Sequence, residues 1–279
     1  MASGAHKTPL HFQETPLWRA TLALQVSSVL HVFCLALVLF FPNLWPWALG
    51  IFLVNHLVLT IGVMQPRSRL LGPNMTRLPA AAAQRGEVVL TFDDGPDPQI
   101  TPQVLDLLDR YGAKPSFFCI ASKVAAYPEL TQEIIRRGHS VENHTHSHPH
   151  GFALFGPSAL QREINIAQTT IQGVTSVAPV FFRAPMGFRN PLLAPIVQRA
   201  GLHYATWTRR GYDTFAKDPE PVLKRLQRGL AAGDILLLHD GRSTQLNGDS
   251  SIILKILPRL LEQLQAMHLK PVTLPAACV

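Results

Sequence analysis

Charge is scarce in this sequence. Only 15% of its 279 residues are Asp, Glu, Lys or Arg, against roughly 25% in ordinary soluble domains. So low a content fits neither a disordered chain nor an ordinary soluble enzyme. Cysteine is scarcer still. Cys34, Cys119 and Cys278 share no short spacing, which excludes a disulfide-stapled scaffold and any cysteine-rich zinc site. Proline and glycine, by contrast, are plentiful at 23 and 18 residues. They argue for many turns and against a coiled coil or a simple helical bundle. The net charge of +7 suits a nucleic acid, an anionic membrane surface or a phosphorylated substrate, and composition does not choose among them.

Two stretches lack charge altogether. Thr21–Phe41 and Leu44–Met64 contain no Asp, Glu, Lys or Arg, and at 1.5 Å per residue each is long enough to cross about 30 Å of hydrocarbon as a helix. Trp18, Trp45 and Trp47 stand at their ends, where indole favours the headgroup level. The first run starts too late and extends too far for a cleaved signal peptide, and a second follows at once. Residues 1–64 are therefore read as an N-terminal segment with two transmembrane helices, about 21–41 and 44–64. His31, Asn55 and His56 inside them are expected to hydrogen-bond between the helices. Lys7 and Arg19 precede the first span, Arg67, Arg69, Arg77 and Arg85 follow the second, and the Pro42-Asn43 connection has no basic residue. The basic flanks put both ends on the cytoplasmic side of an inner membrane, a reducing compartment that suits unpaired thiols.

Residues 65–86 mix Pro, Ala and Arg without a period and read as a juxtamembrane linker; the domain of interest is 87–279. There, short apolar runs alternate with longer periodic ones. Strands are expected at Val88–Phe92, Ser116–Ile120, His139–Glu142, Val180–Arg183, Tyr204–Trp207, Ile235–His239 and Pro271–Leu274. Helices are expected at Thr101–Arg110, Pro128–Arg137, Ser158–Ile171, Pro191–Ala200, Pro219–Ala231 and Ser251–Met267. Such alternation implies an α/β fold with parallel strands, and roughly seven units suit a barrel, whose chemistry gathers at the C-terminal strand ends.

The polar motifs fall at those ends. Thr91-Phe92-Asp93-Asp94-Gly95-Pro96 closes one apolar run with two carboxylates, which leave a strand in different directions and so serve different partners. Asn143-His144-Thr145-His146-Ser147-His148 follows another. At i and i+4, His144 and His148 would share one face of a helical turn, and two imidazoles with a carboxylate suit zinc and its neighbours. His146 and His150 read as bystanders. Arg183-Ala184-Pro185-Met186-Gly187, Trp207 to Asp213, and Leu237-Leu238-His239 complete the series. Each alone has a plain structural reading; their order and placement do not.

Together these motifs resemble those of the NodB-like polysaccharide deacetylases, carbohydrate esterase family four, over about residues 86–275. The resemblance implies a distorted (β/α)7 barrel, here preceded by a transmembrane helical hairpin. It also implies a divalent metal, zinc above all, with cobalt, nickel or manganese as alternatives. The implied activity is hydrolytic removal of N-acetyl, sometimes O-acetyl or N-formyl, groups from sugars. By the same resemblance Asp93 is the catalytic base, and Asp94, His144 and His148 hold the metal. Arg183 orients the base, Asp213 tunes the catalytic acid His239, and Pro185, Met186, Trp207 and Leu237 meet the substrate. Two positions depart from the common pattern: Met186 replaces a tyrosine, and Thr214 a tryptophan, which leaves Trp207 to supply the wall against which the sugar stacks.

The expected partner is an acetylated amino sugar. Because the basic flanks place the domain inside, a polyprenyl-phosphate- or otherwise lipid-linked sugar is favoured over finished polymer. The four linker arginines would then face the membrane, and the apolar Gly151–Gly156 segment would either dip into the interface beside the site or pack as a loop on the barrel core. The alternatives are an extracytoplasmic deacetylase of cell-wall or biofilm polysaccharide and a non-catalytic sugar-binding pseudoenzyme. A phosphatase is disfavoured by the two-histidine and Leu-x-His motifs. No aromatic–basic platform or recognition helix points to a nucleic acid, and no protein partner is read from the sequence.

Overall fold

In the computed structural model, which describes residues 18–241 and 251–279, two long apolar helices come first. Leu22–Phe40 (α1) and Trp45–Met64 (α2) follow the expected spans closely and are joined by a turn of 3-10 helix at Pro42–Leu44. Both are long and apolar enough to cross a membrane. Their outer faces are bare, with Trp47 73% exposed. Between them Asn55 Nδ2 donates to Ser27 Oγ at 3.0 Å. The histidines do not bond across the pair as expected. His31 and His56 bond the carbonyls of Ser27 and Phe52, each one turn back on its own helix, and only their rings meet, 5.2 Å apart. Lys7, counted among the basic flanks, lies outside the described residues.

Beyond a short helix at Ala80–Gln84 (α3), strands and helices alternate. Glu87–Asp93 (β1) leads to Thr101–Arg110 (α4), then Ser116–Cys119 (β2), Ala121–Ala126 (α5) and Pro128–Arg136 (α6). Next come Ser140–Asn143 (β3), Pro157–Thr175 (α7), Phe181–Phe182 (β4), Leu193–Arg199 (α8), His203–Tyr204 (β5) and Arg209–Arg210 (β6). Pro219–Gln227 (α9), Ile235–His239 (β7), Ile252–Ala266 (α10), Lys270–Pro271 (β8) and Leu274–Ala277 (α11) complete the described chain. The strands form one sheet in the order β5-β4-β3-β2-β1-β7-β6, with β8 pairing the start of β1. Every pairing is parallel. The fold is a curled (β/α)7-like half-barrel. β1 lies between β2 and β7, which explains its unbroken apolar run: a central parallel strand buries both faces. Leu90, Phe92, Phe117, Leu236 and Leu238 join α4 and α10 in the main core.

Several expectations shift. Arg209–Arg210 is a strand without any apolar signal, α5 was not anticipated, and the strand expected at Pro271–Leu274 ends at Pro271 and gives way to α11. The larger difference concerns residues 65–79. They carry little regular structure, yet they are tightly docked. Met75 forms a parallel bridge with Ala205, its N–H donating to the Tyr204 carbonyl while its own carbonyl accepts from Thr206 N–H. Thr208 Oγ1 donates to the Thr76 carbonyl at 2.7 Å, and Leu78 N–H donates to Gly233 O at 2.9 Å. The segment is thus a strap that lies along the β5 side and reaches the start of β7. Buried Arg189 clamps it, donating to the carbonyls of Ser68, Gly72 and Pro73. Three of the four linker arginines also bond the barrel: Arg67 to Thr208 O, Arg77 to Asp234 and Arg85 to Glu87. Arg67 and Arg77 dock the strap, and Arg85 beyond it pairs with the start of β1.

Candidate active site

Parallel pairing sets the site. In register, Asp93 at the end of β1 faces His239 at the end of β7, and Asn143 ends β3 opposite Phe182 of β4. All the expected motifs therefore open at the C-terminal strand ends, where side chains leave the sheet unpaired.

The two carboxylates of β1 do diverge. Asp93 Oδ1 accepts from Arg183 Nη1 at 2.6 Å. Arg183 is itself fully buried and satisfied: Nη1 also reaches Thr91 Oγ1, Nη2 the Thr206 carbonyl and Nε the Ala205 carbonyl, and its guanidinium lies 4.0 Å from the Phe118 ring centre. Asp94 turns the other way, with φ +71°. Its Oδ1 lies 3.4 Å from His144 Nε2 and 3.1 Å from His148 Nε2. Burial would lift the Asp94 carboxyl, but the two imidazoles hold it well below the usual carboxylate range. One oxygen and two nitrogens, all within 4.8 Å and all from buried residues, form a donor set suited to a divalent cation. The His144 Nδ1–H donates to the Arg183 carbonyl at 2.8 Å, which aims Nε2 at Asp94.

The histidines converge by a route the spacing did not foretell. Residues 144–148 are not a helical turn; Thr145 and His148 both adopt left-handed backbone, at φ +68° and +52°. The loop is held from α7 instead. Glu163 Oε2 accepts from the His146 and Ser147 N–H groups, Asn143 Oδ1 from Thr145 N–H, and Thr145 Oγ1 from His148 N–H. A long loop from β3 to α7 would otherwise leave these donors unpaired.

His239 stands across from the cluster. Asp213, wholly buried, accepts from His239 Nδ1–H at 2.9 Å and from its backbone N–H at 2.8 Å. Burial alone would lower the imidazole; the charge and hydrogen bond of Asp213 outweigh it and push it up to about 9. Beneath β1, Asp240 Oδ2 accepts from Thr101 Oγ1 at 2.5 Å, and Lys123 Nζ donates to the Asp94 carbonyl at 2.7 Å. A Cβ at Gly95 would lie 2.5 Å from the Asp240 carboxylate, so only glycine fits. Thr91, Lys123, Glu163, Thr206 and Asp240 were not singled out from the sequence. Two of them had a visible signal, Thr91 as the first residue of the Thr-Phe-Asp-Asp-Gly-Pro motif and Asp240 as the residue after the terminal histidine.

Of the expected substrate contacts, Pro185 and Leu237 are buried, and Met186 is 40% exposed at φ +56° in the tight turn Pro185–Gly187. Trp207 departs from its expected role. It is 5% exposed, packed under Gly187 and near the Arg183 and Arg210 guanidinium groups, so it does not present an open stacking face. Phe215, 79% exposed two residues after Asp213, was not anticipated. In the 151–156 segment Phe152 and Phe155 pack on the second core cluster, and Leu154 alone projects.

An Asp-His-His donor set beside a carboxylate paired with arginine and an imidazole paired with aspartate suits metal-assisted hydrolysis. The chain belongs to the polysaccharide deacetylase family, whose model matches residues 80–205. It is 32% identical over 178 residues to a peptidoglycan-N-acetylglucosamine deacetylase of Bacillus cereus, covering 63% of this chain and 82% of that one. Against a chitooligosaccharide deacetylase of a Bradyrhizobium species the identity is 34% over 155 residues, covering 55% and 70%. A family 4 carbohydrate esterase from Streptomyces lividans, solved with acetate, superposes with a TM-score of 0.60 at 28% identity, covering 66% of this chain and 91% of that one. As a family member the protein is a hydrolase of carbon–nitrogen bonds other than peptide bonds, and the metal dependence of that family matches the donor set at hand.

Proposed function

We propose that this deacetylase removes an N-acetyl or N-formyl group from an amino sugar carried on a lipid, at the cytoplasmic face of the inner membrane. The observation that carries the lipid-linked reading is a single contact. Pro66, two residues after α2 ends, packs against Gly187, a buried residue of the turn whose Met186 is exposed: a Cβ on Gly187 would lie 2.8 Å from Pro66 Cβ. The apolar hairpin and the mouth of the site are therefore neighbours, and a substrate held by a membrane arrives where the hairpin leaves it. The cytoplasmic side follows from the basic flanks, Arg67 and Arg69 above all.

Asp94, His144 and His148 hold the cation in this reading, with zinc the best match to a carboxylate and two imidazoles. When bound, it supplies a Lewis acid for the acyl oxygen and lowers the pKa of water. The chain's own residues do the rest. Asp93, oriented by Arg183, accepts a proton from water as the water oxygen bonds the acyl carbon. The Met186 N–H is the candidate donor to the oxygen that gains charge, a contribution typically worth about 3 kcal/mol. His239, kept protonated by Asp213, gives its proton to the nitrogen as the C–N bond breaks, leaving a carboxylate product and a free amine. Leu237 forms the floor beneath, and Phe215 the apolar wall expected of Trp207.

The test compares substrates on the full chain in vesicles. Acetate or formate release from a polyprenyl-phosphate-linked acylated amino sugar should exceed release from a soluble acetylated chito-oligosaccharide at least tenfold in kcat/KM. A reporter fused at Val279 should be cytoplasmic. Equal activity on both substrates removes the lipid-linked reading. A periplasmic reporter favours a cell-wall polymer instead, the substrate class of the Bacillus cereus peptidoglycan deacetylase.

A further inference from the structure

The residues between hairpin and barrel make contacts that a tether does not need. Pro66 and Trp207 close on Gly187 from its open side: a Cβ there would lie 2.8 Å from Pro66 Cβ and 2.6 Å from the Trp207 ring. On the other side, Tyr204 Oη donates to the Gly187 carbonyl at 3.2 Å. Tyr204 in turn lies under Arg189, 4.7 Å from guanidinium to ring centre, and Arg189 is the group that clamps the carbonyls of Ser68, Gly72 and Pro73. Asn74 locks the strap from within, donating to the Pro66 and Ser68 carbonyls while its Oδ1 accepts from Thr206 Oγ1. Thr206 also offers its carbonyl to Arg183, the partner of Asp93. Gly187 sits at φ +77° and Met186 before it at +56°, so this turn uses two consecutive left-handed residues and needs outside support to keep them.

We propose that the strap is a wall of the active site and that Pro66 is a positioning residue for the Pro185–Gly187 turn. The apolar hairpin and the acyl-binding side of the site then form one mechanical unit. The inference rests on the reading above in one respect, that this turn faces the scissile acyl group. A loose turn would misplace the Met186 N–H without touching the cation ligands, and errors of about 1 Å in such groups cost up to about 100-fold in rate.

The experiment uses the full chain in vesicles, loaded with zinc, and compares Pro66→Gly with Pro66→Ala. Alanine keeps the Cβ that meets Gly187; glycine removes it. Four quantities are read: kcat and KM on a soluble acetylated chito-oligosaccharide, zinc affinity of the metal-free chain, and amide hydrogen exchange of residues 186–189. In Pro66→Gly, kcat should fall about 10–100-fold with KM within about twofold. Exchange in the turn should rise at least about tenfold, and zinc affinity should stay at its wild-type value. Pro66→Ala should keep kcat and exchange at their wild-type values. Wild-type kcat and exchange in Pro66→Gly overturn the proposal, as does a parallel loss of zinc affinity, which means general disruption. If the unaltered chain turns over no sugar at all, the functional reading fails, while the exchange and zinc arms still decide the role of the strap.

Discussion

The two carboxylates that end β1 are neighbours in sequence and belong to different halves of the site. On the proton side each ion has its counterion built in: Asp93 has Arg183, and His239 has Asp213. On the cation side the partners of Asp94 are two imidazoles, carried by a loop that keeps Thr145 and His148 in left-handed backbone. The first half is electrostatically complete as it stands. The second concentrates donors and holds them in strained backbone, which is how a chain prepares for a ligand it does not itself supply. The comparison implies that the halves fail separately, and the variants below are chosen to separate them.

The largest effect is expected on the cation side. His148→Ala leaves two of the three ligands and should abolish stoichiometric zinc binding, and with it nearly all turnover, while circular dichroism stays at wild type. Stoichiometric metal in that variant would mean that the ligand set is wrong. Next come Asp93→Asn and His239→Ala, each expected to keep full zinc occupancy and lose about 10²–10⁴ in kcat. Loss of zinc in either would merge the two halves and break the comparison.

A smaller effect isolates the Asp213–His239 pair. In the metal-free protein the His239 ring should titrate near 9 by NMR, against about 6.5 for an unperturbed imidazole. The folded value lies above the unfolded one, so the pair's contribution to stability is complete below about pH 6.5 and fades as pH rises towards about 9. Asp213→Asn should bring the titration down and flatten that slope. A bound cation adds positive charge nearby and lowers the same pKa, so the basic limb of kcat in the loaded enzyme should fall below the metal-free titration. A wild-type ring titrating near 6.5 without metal would show that Asp213 does not tune it.

Much of this was legible in the sequence, for identifiable reasons. β1 and β7 are buried on both faces, and so they read as unbroken apolar runs ending in polar residues; the motif series then named the site. α4, α6 and α9 showed through proline in the first turn and apolar periodicity. What stayed hidden depends on tertiary contact. The Arg209–Arg210 strand exists because β7 is beside it, and nothing local says so. The i, i+4 spacing of His144 and His148 suggested a helical turn, but Glu163 of a distant helix holds the loop in another conformation. Trp207 in a motif looked like a sugar platform, and only packing shows it beneath Gly187. The strap resembled a loose linker because carbonyls clamped by Arg189 leave no compositional trace.

The smallest expected effect concerns how the barrel meets a membrane. The 151–156 segment was open to two readings, a loop on the core or an apolar tip in the interface, and the side chains divide between them. Phe152 and Phe155 are held by the second core cluster, so replacing either tests stability and nothing else. Leu154, 89% exposed at the tip of the same turn, touches no core and follows the cation-ligand loop by six residues. Full burial of a leucine is worth about 1.5–3 kcal/mol, and partial insertion at an interface less, so Leu154→Ser should lower kcat/KM on a vesicle-borne lipid-linked sugar by no more than about tenfold. Activity on a soluble oligosaccharide and the melting temperature should not move. Equal losses on both substrates would assign Leu154 to the site rather than to the membrane, and no loss on either would leave the Pro66 side of the mouth as the sole point of contact with the lipid.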